Sequence, residues 1–352
     1  MYLGNKLKKG KIVKEDKMKK VKLYCPFCDS EHDIIIKESI SECLIKDEKV
    51  EYTEKNYYCE KYDEEFADGE LIDQNLQNAR DQYRIKHHLL TSNEIKDIRD
   101  KYKLSQADLS LILGWGEITI TRYETKEIQN ENYDITLRNI KDNPYKLYDY
   151  FMINKEKFTN KKQSKIAKKI FSVAPSDDKT NKYIEECLHK KHFSIKEIDR
   201  GNQEIKFDRI LAVIKTLIDK GIELYKTKLA KLLWYVDIIN YKNNNQSITG
   251  LAYFHMSYGA CPLGLDLILD SKSISIEEIE ENEYVKYLIK DVEIDYKLTE
   301  KELNSIDIVI NKFNLFSSRE IVEYMHKEKA YIETDTNEFI SFEYAKYINL
   351  NN

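Results

Sequence analysis

The spacing of hydrophobic and polar positions changes character along the chain. From Val21 to Phe66 apolar and polar residues alternate in short steps, with Ile34-Ile35-Ile36 and then Tyr52 to Cys59. That period predicts a small antiparallel sheet. From Asp73 to Phe151 the period is helical. Residues 152–205 are Lys-rich at their start and contain the turn sequence Ala174-Pro175-Ser176-Asp177, which places a linker there. From Lys206 a second helical region begins. The pattern predicts a mainly α protein with a small N-terminal β module. Its divisions are a basic tail (1–20), the β module (21–72), a helical domain (73–151), the linker (152–205) and an α-rich α+β domain (206–352). No internal repeat alters that division.

Local signals sharpen two stretches. Thr91 and Glu94 have capping-box spacing, with Ile95 and Ile98 as the buried stripe behind them. Ser105 caps the next helix, Leu109, Ile112 and Leu113 lie at helical spacing, and Gly114 supplies a left-handed corner. In the following helix Ile120 and Tyr123 are expected to face inward, leaving Glu117, Ile118, Thr121 and Arg122 outward. Two short helices around a glycine corner place the second one to read a major groove. Arg122 then forks onto guanine and Glu117 accepts from a cytosine amine, while Gln106, Thr119 and Thr121 reach phosphates. In the C-terminal region Phe207, Ile210, Leu211, Ile214, Leu217 and Ile218 form a stripe ending at Gly221. Residues 228–237 are apolar on much of their surface. Ile248 to Phe254 read as extended, Tyr258 to Pro262 as a turn, and Thr299/Glu302 and Ser317-Ser318 as helix starts.

A length of 352 residues asks for two or three domains, and 41% hydrophobic content is that of a folded chain. No apolar run reaches membrane-spanning length, and the Lys-rich start lacks the apolar core of a secretory signal. Six unevenly spaced Cys do not form a disulfide framework, so a reducing cytoplasm is expected. Charge is polarised. Residues 1–20 hold eight Lys against Glu15 and Asp16 (+6), and residues 270–352 hold ten Lys/Arg against nineteen Asp/Glu (−9). Different partners for the two ends follow, unless the tail is only a solvated arm.

Cys25-Pro26-Phe27-Cys28 lets two thiolates meet one tetrahedral ion from a single turn, and Cys59 lies at a suitable distance for a third. The residue three beyond Cys59 is Tyr62, a poor ligand beside thiolates. His32, Cys43 or Asp63 is left as the fourth, or the finger holds by strand packing without zinc. Cys187, His189 and His192 form another conceivable metal group, but a Lys-rich exposed helix is the simpler account. His255, Cys261 and His326 invite a Cys–His nucleophile. Cys261 reads better as a packing residue and His326 as a structural one, so no enzyme is expected.

Leu104-Ser105-Gln106-Ala107-Asp108-Leu109 through Thr119-Ile120-Thr121-Arg122-Tyr123-Glu124 resembles the Xre-type helix-turn-helix. Gly114-Trp115-Gly116-Glu117-Ile118-Thr119, with Tyr58-Cys59-Glu60 upstream, is closer to antitoxins of the MqsA type, which carry a zinc finger before the DNA-binding unit. This resemblance covers about residues 24–151. Tyr62 replaces the last finger Cys, and Lys126 stands where that family usually has Gly. Lys231-Leu232-Leu233-Trp234-Tyr235-Val236-Asp237, Ile248-Thr249-Gly250-Leu251, and Tyr258-Gly259 with Pro262 resemble the Panacea domain of SocA-type antitoxins over about 206–350. Ala260 stands where that family more often has Pro. The resemblances imply a type II antitoxin that represses its own operon as a homodimer and neutralises a protein toxin encoded beside it. Trp234, Tyr235 and Tyr258 are candidate toxin contacts, unless they are core. The alternatives are a phage- or mobile-element-encoded regulator and a protease adaptor.

Overall fold

A computed structural model describes residues 20–281 and 284–350. The basic tail expected over residues 1–20 lies outside them except for Lys20. The chain divides into two compact units, residues 1–157 and 158–352. No helix among the described residues is long and apolar enough to cross a membrane.

The first unit opens with a four-stranded antiparallel sheet in sequential order: β1 (Lys20–Cys25), β2 (Ser30–Ile45), β3 (Glu48–Cys59) and β4 (Glu64–Phe66). β2 and β3 form one long hairpin closed by Lys46 and Asp47, both at positive φ (47° and 65°) as a tight right-twisted hairpin turn requires. The expected sheet is present. Helices α1 (Gly69–Lys86), α2 (Ser92–Lys101), α3 (Gln106–Ile112), α4 (Thr119–Thr125), α5 (Glu131–Lys141) and α6 (Pro144–Asn154) follow. Asn75 of α1 donates to Lys55 O (2.7 Å) and accepts from Lys55 N (2.9 Å), so a buried side chain occupies the pairing positions of β3 beyond β4. This is how helix and sheet become one body. The Thr91/Glu94 capping box and the Ser105 cap form as expected.

The second unit contains α7 (Asn160–Ser172), α8 (Asp177–His192), α9 (Phe207–Asp219), β5 (Leu224–Tyr225), α10 (Lys226–Asn244), β6 (Tyr253–Met256), β7 (Gly259–Pro262), α11 (Leu265–Leu269), β8 (Ile274–Glu281), β9 (Tyr284–Val292), α12 (Glu300–Phe313), α13 (Ser318–Met325) and α14 (Lys329–Ile332). The 152–205 linker is a correction. Most of it is helical: α7 buries Ile166, Ala167, Ile170 and Phe171, and α8 buries Ile184 and Leu188. The Pro-Ser-Asp sequence is the start of α8, whose Ser176 side chain accepts from Lys179 N. A turn signal here marks a helix cap.

α10 is the axis of the second unit, with every residue from Lys228 to Asn240 buried. Strands β5, β9 and β8 form one small sheet, and β6 and β7 a hairpin. Residues 248–252 are irregular and only Tyr253 onward is strand. Residues 259–262, expected as a turn, are strand β7, because the reversal falls earlier, at Ser257 and Tyr258.

His192 ends α8 with both ring nitrogens used. Nδ1–H donates to Leu188 O (2.8 Å), and Nε2 accepts from Ala252 N–H (3.2 Å). It is therefore no metal ligand beside Cys187. Burial pushes its pKa down to about 4. The unfolded chain, titrating near 6.5, takes up a proton that the native state refuses. The contribution of neutral His192 is fully present above that value and is lost as pH falls towards 4, about 3 kcal/mol in all. Urea titrations across this range are expected to show a slope in stability that His192→Gln flattens. An unchanged slope in the variant would assign the acid sensitivity elsewhere.

Candidate functional site

Three places carry the chemistry. The first is the α3–α4 pair. Gly114 turns the chain at φ 77°, and Ser110 Oγ accepts from Ile120 N (3.1 Å), so α4 starts against α3. Ile120 and Tyr123 are buried, and Tyr123 joins Trp115 and Tyr133 in an aromatic cluster. Glu117, Ile118 and Arg122 are exposed, and Thr119 and Thr121 half-buried. Arg122 pairs with Glu127 at 3.6 Å with both side chains about half exposed, and a pair that weak is readily exchanged for another anion. Gln106 is not held out to solvent. It donates to Glu124 Oε2 (2.6 Å) and accepts from Thr121 Oγ1 (2.9 Å), so these two side chains tie α3 to α4. Arg99 holds Glu124 with two parallel bonds (2.7 and 3.2 Å).

The exit of α4 is made without a glycine, as Lys126 at that place implied, and for a visible reason. Lys126 has φ −131° and needs no glycine. Arg84 of α1, fully buried, donates to the last-turn carbonyl of Tyr123 (2.7 Å) and, past the helix end, to Glu127 O (2.6 Å), as well as to Gln129 Oε1 (3.1 Å) and Asp81 Oδ1 (2.6 Å), while Thr125 O accepts from Arg80 (3.4 Å). Sequence reasoning missed Arg84 because it lies 39 residues from the carbonyl it caps.

The second place is the sheet end. Cys25, Cys28, His32 and Cys59 bring one ligand atom each to within 4.8 Å of one another. Cys28 and Cys59 sulfurs are 3.6 Å apart, against about 3.8 Å for the edge of a tetrahedron with 2.3 Å metal–sulfur bonds. His32 Nδ1 lies 3.0 Å from Asp33 O, while its buried Nε2 has no hydrogen-bond partner. That orphaned nitrogen, on a ring oriented by its other nitrogen, is what a metal ligand requires. The group could hold a metal ion. Burial raises the Cys59 thiol, but the backbone N–H groups of Tyr62 and Lys61 and the neighbouring thiols outweigh it and bring the pKa down to about 7. Tyr62 thus serves the cluster through its backbone, and its ring packs on Phe27. Of the other fourth-ligand candidates, Asp63 accepts from Tyr58 OH (2.6 Å), and Cys43 lies in the hairpin opposite Val50.

The third place is the α10 core and the loop after it. Asp237, wholly buried, accepts from Ile248 N (2.8 Å), Thr249 N (2.9 Å), Thr249 Oγ1 and Tyr253 OH (2.6 Å). Gly250 (φ 76°) lies so close to Glu204 that a Cβ would sit 2.8 Å from its backbone. Lys231, also buried, donates to Ala260 O (2.8 Å), and burial lowers its pKa to about 8. Trp234 and Tyr235 are core and are unavailable to a partner, whereas Tyr258 at the hairpin tip is 73% exposed. Cys261 is raised by burial, the wrong direction for a nucleophile.

Residues 229–331 match the family described as antitoxin SocA-like, Panacea domain. Comparison with curated proteins and with solved structures gives no match. The matched region runs from within α10 to α14, so it contains the Asp237 network, the Lys231 contact and the β6–β7 hairpin. The match begins at Leu229, whereas α7 to α9 of the same unit precede it.

Proposed function

We propose that the chain is an antitoxin whose second unit neutralises a protein toxin and whose first unit represses its own operon. The match of residues 229–331 to a SocA-like antitoxin domain carries this reading. The DNA-binding half is supported by α4, which buries Ile120 and Tyr123 and leaves Glu117, Ile118 and Arg122 outward. In a homodimer two such helices would meet half-sites about 34 Å apart. The test is in two arms. Co-expression of the small protein encoded beside this gene should arrest growth, and this chain should relieve the arrest. In gel shifts on the upstream intergenic fragment, Arg122→Ala should cost about 1–3 kcal/mol and relax preference at one base position. A harmless neighbour removes the first half of the reading, and an unchanged base preference removes the second.

The sheet end binds zinc in this reading, with Cys25, Cys28, Cys59 and His32 as ligands. The ion would supply structural cross-linking of β1, β2 and β3 rather than chemistry, since four protein donors leave no open position. Purified protein should contain one zinc per chain by elemental analysis. His32→Ala should lower zinc affinity and let a chelator melt the sheet at a concentration the parent tolerates, read by far-UV circular dichroism. Metal-free protein with an unchanged melting curve would leave strand packing as the whole explanation.

A further inference from the structure

We propose that α7 is a second, sequence-independent DNA contact that grips duplex phosphates through a stripe of lysines. Lys161, Lys162, Lys165, Lys168 and Lys169 fall within an arc of about 120° on the helix at 3.6 residues per turn. Ile166, Ala167, Ile170 and Phe171 occupy the opposite, buried side. No Asp or Glu occurs between Lys157 and Ser176, in a chain whose net charge is −5.

Elsewhere in the second unit some lysines are held by carboxylates: Lys215 with Asp219 and Asp291, Lys220 with Asp307, Lys226 with Asp266, Lys272 with Asp177. Among the described residues Lys165, Lys168 and Lys169 have no such carboxylate. The stripe spans about 12 Å at 1.5 Å per residue. Duplex DNA presents one negative charge per about 1.7 Å of axis, roughly seven over that length. The face holds no Arg, the residue suited to bidentate carboxylates, and no exposed aromatic ring on which a base would stack. Point charges on flexible stems suit phosphate oxygens and carry no base information.

The inference rests on the duplex-binding reading of the first unit, and the experiment separates the two. Full-length protein is titrated by fluorescence anisotropy against its upstream duplex and a scrambled duplex of equal length, between about 50 and 200 mM KCl. The variant Lys165→Gln/Lys168→Gln/Lys169→Gln should show a salt slope shallower by about 2.7, so the parent loses about 40-fold more affinity across that range. The loss should be the same on both duplexes. The Lys→Arg triple variant should restore the parent slope, and the single exposed change Lys165→Gln should remove about 0.9. A slope within about 1 of the parent in the Gln triple variant overturns the proposal while leaving the α4 reading intact, as does a loss confined to the upstream fragment. A parent protein that binds neither duplex at the lowest salt overturns both readings. A single-stranded RNA that gives the larger change in slope reassigns the stripe away from duplex DNA.

Discussion

Arg84→Ala is expected to lower the stability of the first unit by about 3–5 kcal/mol and, under the DNA-binding reading proposed above, to abolish operator binding, although Arg84 lies on α1 and not on α4. The guanidinium is fully buried and spends its donors on Tyr123 O, Glu127 O, Gln129 and Asp81. Its removal leaves the Tyr123 and Glu127 carbonyls without this donor and the Asp81 carboxylate without its cation, and buried acceptors in that condition cost far more than the net worth of the bonds. Asp81 also accepts from Ser92 N (2.8 Å) and Ser92 Oγ (2.6 Å), so the loss would propagate to the start of α2. Lys at position 84 should rescue little, because an ammonium cannot serve four acceptors in one plane. Urea denaturation and the gel shift of the variant check this together. A variant that keeps parental stability but loses DNA binding would move Arg84 from scaffold to contact.

Asp237→Ala should be comparably severe in the second unit, about 3–5 kcal/mol. The buried carboxylate gathers four donors from Ile248, Thr249 and Tyr253. Burial pushes its carboxyl pKa up while those four bonds pull it down, and the balance lies above the ordinary value. Without it the loop from Ile248 to Gly250 has no anchor on α10, and the β6–β7 hairpin that follows loses its base. Asp237→Asn keeps one acceptor oxygen but introduces two donors facing Thr249 and Tyr253, so it should recover only part of the loss. Thermal melting of the three proteins orders them parent, Asn, Ala. Neutralisation of a toxin should fall in the same order if the hairpin contributes to the contact, because Tyr258 sits at its tip.

Much of the local structure was legible from short-range patterns, and the reason is physical. Capping boxes at Thr91/Glu94 and Thr299/Glu302, and the left-handed residue at Gly114, are decided by atoms within three or four residues of one another. The hidden parts involve partners far apart in the chain. Residues 152–205 looked like a linker because their lysines dominate the composition, yet four apolar side chains of α7 suffice to bury one face. The β8–β9 hairpin went unmarked because only Ile274 and Ile276 keep a two-residue spacing before Glu277-Glu278 breaks it, and such runs are short and acidic.

The amino-acid sequence alone determined several helix starts and stops, which face of α4 is apolar, and that Cys25 and Cys28 share one turn with Cys59 as a candidate third. Those outcomes depend on periodicity and on spacing within a turn. Tertiary structure decided that His32 and not Asp63 or Cys43 joins the cysteines, that Arg84 of α1 donates to the last-turn carbonyl of Tyr123 in α4, and that Trp234 and Tyr235 are core while Tyr258 is surface. Each of these is a competition between candidates of similar chemistry. Strand register or helix packing settles it by bringing one of them within hydrogen-bonding or ligand distance and leaving the others elsewhere.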